Sequence, residues 1–443
     1  MPTPSADAAE EDRKLSGDIL WTLGSFGVLA ASGLVINVAV AGFRDAAALG
    51  VFNLAYAVYI IVSQVAVLGV HYSVLRAAAQ YHGDLWERSA MLLAAVALSL
   101  ALGSAFGAAV FAGGGFFAAL FDSEESGRAI SYAGLGLCFF AVNKVLIAYI
   151  NGLRHMRAFS VLQAMRYVIV MSWVSGVAAS TLPFELSGLA FIAAEVSTTV
   201  AALLYVVRVR AVSAAWSGEK VRSWLRRHLS FGIRSAPSGM FLEVNTRVDA
   251  LVIGVFLSER EVGIYTFAAT LVDGLYHVLA MIRVNVNPIL VAAWRDASWA
   301  GPQRLLTRTK QLLFPVMVIL AGLALMGYYV LGEHVLGPGE VMEGVGPLVI
   351  LLLGLTLVAP FVPFDNLLLA TGHPGFQTLQ HLTVVLVNLA LNLALVPVVG
   401  MVGAAGGLAA GYLVGTGVLL VLADRMVGWN LTSNTVRSGV RSW

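Results

Sequence analysis

The sequence predicts an all-α integral membrane protein of about twelve transmembrane helices, arranged as two six-helix lobes related by a pseudo-repeat. Three observations predict it: an apolar composition, a ladder of span-length apolar runs, and a one-sided distribution of basic residues. Hydrophobic residues make up 59% of the 443-residue chain and charged residues 12%, with a mean hydropathy of +0.84. A soluble domain carries about a quarter charged residues, so half of the usual surface charge is absent. The net charge of +2 gives no ground for a nucleic-acid partner. The single cysteine, Cys138, excludes an intramolecular disulfide and reads as a buried structural thiol.

Each crossing of the bilayer needs about 20 mostly apolar residues. Runs of that kind fall at 19–42, 50–74, 90–113, 129–152, 159–181, 187–207, 235–257, 262–290, 312–332, 346–370, 377–398 and 402–423. Residues 1–16 are polar and acidic, unlike the basic start of a signal peptide, so the first run is expected to stay. Basic residues orient the chain. With the N-terminus inside, nineteen of the 27 fall in cytoplasmic segments, among them Arg208, Arg210, Lys220, Arg222, Arg226 and Arg227; Arg44, Arg128 and Arg260 fall outside. Positive charge stays cytoplasmic, so both termini are expected inside, in a multi-pass protein of the cell membrane.

The organisation expected is a cytoplasmic N-terminal tail over 1–18, an N-lobe of helices 1–6 over 19–207, a basic cytoplasmic linker over 208–230, a C-lobe of helices 7–12 over 231–425, and a cytoplasmic tail over 426–443. Local matches cross the divide in the same order. Gly50-Val51-Phe52 opens the second span and Gly263-Ile264-Tyr265 the eighth; Phe159 with Leu162-Gln163 matches Phe376 with Leu379-Gln380; Gly188-Leu189-Ala190 matches Gly407-Leu408-Ala409. The offsets of 213, 217 and 219 residues favour a duplication, and transporters are often built from repeats.

The run FGIRSAPSGMFLEVNTRVDALVIGVFLSEREVGIYTFAATL (231–271) resembles the start of the second half in polysaccharide-biosynthesis flippases, a Wzx-like branch of the multidrug/oligosaccharidyl-lipid/polysaccharide exporter (MOP) superfamily. The segments LGVFNLAYAVYIIVSQVAVLGV (49–70) and NLLLATGHPGFQTLQHLTVVLVNLALNLALVPVVGMVGAAGGLAA (366–410) are similar to its first hairpin and last pair of spans. The resemblance implies two six-helix lobes around a central cavity, and alternating access carrying a lipid-pyrophosphate-linked oligosaccharide outward. It also implies a lipid-linked glycan and the bilayer as partners, with other polysaccharide-assembly membrane proteins beside them and no cofactor. The family often carries a basic residue eight positions before the glycine that opens the second span. Here that position is Gly42, and the arginine is Arg44.

Charges inside a membrane are expensive and mark functional candidates. On the eighth span Thr266, Thr270, Asp273, Tyr276, His277, Arg283 and Asn287 fall within roughly a 140° arc, the pattern of a helix lining a wet cavity. Asn285 lies off that stripe. The seventh span carries Glu243 and Arg247 at i, i+4, the favourable order for a helical pair, with Asn245 and Asp249 on another face. Lys144, Arg166 and Glu195 add ionisable groups to spans four, five and six. Guanidinium forks suit phosphate, so Arg283, Arg247 and Arg166, with Asn287 and Tyr276, are the expected substrate-binding residues. Asp273, His277, Glu243 and Asp249 are the expected coupling or gating residues. Arg283 ranks first because no acidic residue lies at i±3 or i±4. Gly403, Gly407, Gly411 and Gly415 form a stripe suited to close helix packing, and Pro237, Pro288, Pro315, Pro360 and Pro363 are expected to kink or break helices.

The chain contains no Walker loop, no Cys/His cluster and no H-E-x-x-H, so it carries no ATPase and no metal or catalytic residues are assigned. A membrane polymerase or transferase would show a long extramembrane loop with acidic or His residues, and the external loops are short; no enzyme is expected. A drug or cation antiporter on the same fold is the alternative, because Glu243, Asp249 and Asp273 could serve protons or cations.

Overall fold

The structure is a computed structural model that describes residues 6–81, 83–213 and 217–437. Helices dominate, as an apolar chain in lipid must satisfy its backbone internally. They are α1 (Ala6–Phe43), α2 (Ala46–Val67), α3 (Val70–Gln80), α4 (Leu85–Ala112), α5 (Gly114–Leu120), α6 (Glu124–Gly152), α7 (Met156–Ala179), α8 (Leu189–Arg208), α9 (Gly218–Asn245), α10 (Val248–Phe256), α11 (Glu259–Arg295), α12 (Ala300–Val335), α13 (Pro338–Val358), α14 (Leu367–Ala370), α15 (Pro374–Val399) and α16 (Met401–Leu422). A short hairpin of β1 (Trp429–Asn430) and β2 (Thr435–Val436) follows, with Trp429 opposite Val436. Among the described residues eleven helices are long and apolar enough to cross a membrane.

The run expected as the seventh crossing is split. α9 ends at Asn245, Thr246 and Arg247 form a turn, and α10 adds nine residues. Thr246 Oγ1 turns back to Glu243 O at 2.8 Å and Arg247 N closes on Val244 O at 2.9 Å, so the last turn tightens and the helix stops. The run expected as the tenth crossing is split too. Pro360 and Pro363 cannot continue a helix; α13 stops at Val358, a 3-10 turn covers Val362–Phe364, and α14 is a single turn. Pro237, Pro288 and Pro315 instead lie inside continuous helices.

The chain forms two compact units, Met1–Arg44 with Leu54–Met240, and Asp45–Asn53 with Phe241–Trp443. In the first, α1 packs on α7, and α4 and α8 pack on α6. An apolar cluster in it includes Val74, Met91, Leu146, Ile150 and Trp224. Residues 208–230, expected as a linker, are helical from Gly218 onward. Polar anchors explain why: Lys220 Nζ and Trp224 Nε1 both donate to the Glu87 carboxylate, at 2.7 and 2.8 Å. Four residues on, His228 is fully buried between Ser73 Oγ at 2.9 Å and Met91 O at 3.1 Å.

In the second unit α16 packs along α15 and α13, and α11 along α13. The glycine stripe is what permits the first contact. A Cβ at Gly403 would lie 2.7 Å from the Leu395 backbone, and one at Gly415 would lie 2.4 Å from Val384 Cγ2. The apolar cluster of this unit gathers Leu290, Trp299, Phe364, Leu367, Val427 and Trp429. Phe364 stands edge-on to Trp429 with centroids 5.6 Å apart. The hairpin therefore clamps the proline-broken stretch and fixes the residue that follows, Asp365.

A polar cavity within the second unit

A cavity of about 80 Å³ lies within the second unit, room for several waters at roughly 10–15 Å³ each. Its polar lining comes from Asn245 on α9, Tyr276 on α11, Asp365 after the proline break, Gln380 and His381 on α15, and Tyr412 and Thr416 on α16; Phe361, Val362, Val384 and Leu419 supply apolar wall. The Tyr276 and Tyr412 rings stack in parallel, 6.3 Å between centroids. Irregular backbone at membrane depth is tolerated where it lines such a cavity, which accounts for the broken stretch at Asp365.

Arg283 on α11 holds two residues of this lining. Its Nη1 donates to Tyr276 Oη and to Asp365 Oδ2, each at 3.2 Å, and the guanidinium lies 5.9 Å from the Tyr276 ring centre. Asp365 Oδ1 also accepts from Gln380 Nε2 at 2.7 Å. Gln377 Nε2 lies 2.9 Å from Asp365 O and 3.0 Å from His381 Nε2. The premise that Arg283 lacks an acidic partner is therefore corrected: local spacing along α11 supplies none, and the partner arrives from the proline-broken stretch 82 residues later.

The eighth-span stripe divides between two fates. Tyr276 lines the cavity and accepts from Arg283, but Thr266 and Thr270 bond back to their own helix at Val262 O and Thr266 O, 2.7 and 2.8 Å. His277 Nδ1 likewise donates to Asp273 O at 2.6 Å. Asn287 Oδ1, one turn beyond Arg283, is buried without a hydrogen-bond partner. The continuous helix presumed by the i, i+4 spacing of Glu243 and Arg247 is interrupted by the turn at Thr246–Arg247. Arg247 acts electrostatically on Asp273.

Asp249 lies at the centre of a second buried cluster. Tyr265 Oη donates to its Oδ2 at 2.7 Å, and Asn388 and Asn392 donate to its Oδ1 at 3.0 and 3.2 Å. Asn388 also donates to Asn245 Oδ1 at 3.2 Å. Each of these donors is a neutral amide or hydroxyl.

In the first unit Arg166 Nε meets Glu195 Oε1 at 2.5 Å. Asn143 Nδ2 and Tyr59 Oη donate to the same carboxylate at 2.6 and 3.0 Å. The guanidinium also stacks 4.9 Å from the Phe140 ring centre. Arg44 caps α7: its guanidinium donates to the carbonyls of Val177, Ala178, Ser180 and Leu182 at 2.5–3.2 Å, consistent with a cation at a helix C-terminus.

Asp365, Gln377, Gln380, His381, Asn388, Asn392 and Tyr412 were not singled out from the sequence. A signal existed for most of them. Pro360-x-x-Pro363-x-Asp365 places an acid just beyond a helix break, and Gln377, Gln380 and His381 lie at i, i+3 and i+4 on one face of α15, with Asn388 and Asn392 four apart further along it.

Solved transporters share this fold. A structure described as the lipid II flippase MurJ in an inward closed conformation aligns with a TM-score of 0.74 at 13% identity, covering 92% of this chain and 87% of that one. An inward-facing multidrug resistance MATE family transporter of the MOP superfamily aligns at 0.65 and 16% identity, covering 93% and 96%. A MOP superfamily transporter from Pyrococcus furiosus aligns at 0.60 and 15%, covering 93% and 94%. The molecule is thus a multi-pass membrane protein with the fold of the MOP-superfamily transporters. It belongs to the polysaccharide biosynthesis protein family, whose match spans residues 40–332. No curated protein matches the chain.

Proposed function

We propose that this protein is a flippase that moves a lipid-pyrophosphate-linked oligosaccharide from the cytoplasmic to the outer leaflet by alternating access, for assembly of a surface polysaccharide or glycan. The observation that carries the reading is Arg283, a cation inside a transmembrane helix and beside a polar cavity, in a chain of the polysaccharide biosynthesis family. A pyrophosphate carries about two negative charges, and its charge-assisted bonds to arginine are of the strong kind. Burying it without cations would cost several kcal/mol per charge. Arg283 is the main phosphate ligand in this reading and Arg247 the second. Asn287 and Tyr276 flank the head group, and the lipid tail stays in the bilayer. Arg166, held by Glu195, acts structurally. Asp273, His277, Glu243 and Asp249 are the coupling or gating groups. No bond is made or broken.

The test is flipping of a fluorescent prenyl-diphosphate sugar by the purified protein in liposomes. Arg283→Ala is expected to abolish flipping and Arg283→Lys to keep part of it, because the charge survives while the fork is lost. Full flipping by a well-folded Arg247→Ala, Arg283→Ala double variant would overturn the assignment. Both termini are proposed to be cytoplasmic, which a reporter fused after Pro183 (exterior) and one after Arg210 (cytoplasm) would check.

Drug or small-cation antiport is the second reading. The Asp249 cluster favours it, since a buried carboxylate whose donors among the described residues are neutral is chemistry suited to protons or cations. Binding of a fluorescent cationic drug, competed or not by a lipid-linked sugar, separates the two readings.

A further inference from the structure

Two arginines of the second unit hold their acids differently. Arg260 engages Glu340 and Glu343 through three nitrogens at 2.8–2.9 Å. Arg283 touches Asp365 through Nη1 alone, at 3.2 Å, and shares that nitrogen with Tyr276 Oη. A planar guanidinium is built for two parallel bonds, so a phosphate offers Arg283 more than Asp365 does.

The protonation of His381 follows from its neighbours. The Asp365 backbone carbonyl can only accept, so the Gln377 side-chain atom 2.9 Å from it is the amide nitrogen. That nitrogen only donates, and its second hydrogen meets His381 Nε2 at 3.0 Å. His381 Nε2 is therefore an acceptor here, and the imidazole is neutral. Protonating Nε2 would set donor against donor and release the ring from Gln377. The charged groups acting on His381 are Asp365 and Arg283. Tyr276 on α11 and Tyr412 on α16 are the other titratable groups of the lining, which contains Asp365 as its one carboxylate among the described residues.

We propose that Arg283, Asp365 and His381 form an anion-for-carboxylate exchange site: a phosphate head group takes Arg283 from Asp365, and His381 gains a proton at Nε2 and replaces Arg283 as the counter-charge of Asp365. The inference rests on the phosphate reading of Arg283. Without the proton, phosphate binding would strand a carboxylate in a largely buried cavity, and an uncompensated buried charge is expensive. The proton comes from water, no other bond changes, and the net change is one proton taken up per head group bound. Affinity then rises as pH falls, by up to about tenfold per pH unit across the His381 titration.

The experiment is calorimetric titration of the full chain in nanodiscs with farnesyl diphosphate, run in two buffers of different ionisation enthalpy to count protons. Wild type should take up about one proton more than His381→Gln and about one more than Asp365→Asn, which has no carboxylate to strand. Inorganic pyrophosphate, run in parallel, separates recognition of the phosphates from recognition of the prenyl chain; the excess proton with either ligand supports the exchange. An equal proton count in wild type and Asp365→Asn overturns it, even if His381→Gln fails to bind. Absence of any binding by wild type overturns the phosphate reading itself, and this inference with it.

Discussion

Arg283 on α11 and Asp365 beyond the proline break of α13 form an ion pair, Nη1 to Oδ2 at 3.2 Å, across 82 residues of chain. Their side chains are 15% and 20% exposed, so neither charge is cheap to leave alone and neither is fully sealed from water. The pair links α11 to the proline-broken stretch after α13. It is also the point at which a substrate anion would compete with the protein's own acid.

A double-mutant cycle on this pair is the first prediction. Arg283→Ala or Asp365→Ala leaves a mostly buried partner uncompensated, and each should lower thermal stability by about 1–3 kcal/mol, the fully buried figure discounted for the exposure that remains. The double variant should lose less than the sum of the singles, by about 1 kcal/mol. Strict additivity in detergent melting curves would show that the contact contributes nothing.

A second prediction concerns the two glycines of the repeat. A Cβ at Gly50 would lie 1.8 Å from Glu259 O, and one at Gly263 would lie 1.8 Å from Ala46 O. Each glycine thus meets the carbonyl four residues before the other, and main chain cannot yield as a side-chain tip can. Gly50→Ala and Gly263→Ala should each destabilise by at least about 1–3 kcal/mol, the usual range for overpacking. Gly274→Ala, on the same helix as Gly263 and with nothing within 4 Å of its Cβ, should be neutral or slightly stabilising. Similar losses at Gly274 and Gly263 would contradict the close approach.

These glycines show what kind of information the sequence exposes. Span-length apolar runs are a bulk property, and they match the eleven span-length helices of the described residues, because lipid rewards every residue of a run in the same way. The match of Gly50 with Gly263 was legible as a repeat, whereas their mutual contact was not, since contact needs the third dimension. Helix periodicity placed Tyr276 and Arg283 on one face, and in the structure Arg283 bonds Tyr276, which lines the cavity. The partner of Arg283 escaped because the i±3 and i±4 rule sees one helix at a time, and Asp365 lies outside that helix. The helical spacing of Glu243 and Arg247 meets a related limit. Periodicity presumes a continuous helix, and the hydroxyl of Thr246 and the amide N–H of Arg247, both turned back on the last turn, end this one.

The third prediction is a pH dependence of the first unit. Burial pushes the His228 pKa down to about 4, against an ordinary value near 6.5. Met91 O accepts from Nε2, so Ser73 donates to Nδ1 and the ring is satisfied while neutral. The unfolded chain takes a proton near pH 6.5 that the folded chain refuses until about pH 4. Stability from this group is therefore complete above pH 6.5 and declines as pH falls through the window, by roughly 3 kcal/mol at the limit. Melting temperature followed from pH 7.5 to 4.5 should drop less in His228→Gln than in wild type. Parallel curves would assign the acid sensitivity elsewhere.

The last prediction separates a structural arginine from a transporting one. Arg166 and Glu195 are 10% and 1% exposed and 2.5 Å apart, with Tyr59 and Asn143 completing the carboxylate's bonds. Removing one charge of a buried pair strands the other, so Glu195→Ala should cost about 3–5 kcal/mol. Replacing both charges with apolar groups removes the desolvation penalty as well as the attraction, and is often neutral. In Arg166→Met, Glu195→Leu the remaining loss should come from the Tyr59 hydroxyl and Asn143 amide, each left without an acceptor at about 1–3 kcal/mol. Adding Tyr59→Phe and Asn143→Leu should recover most of that. The decisive measurement is flipping by the well-folded quadruple variant. A structural Arg166 predicts retained flipping where Arg283→Ala has none; loss as complete as that of Arg283→Ala would move Arg166 into the substrate path.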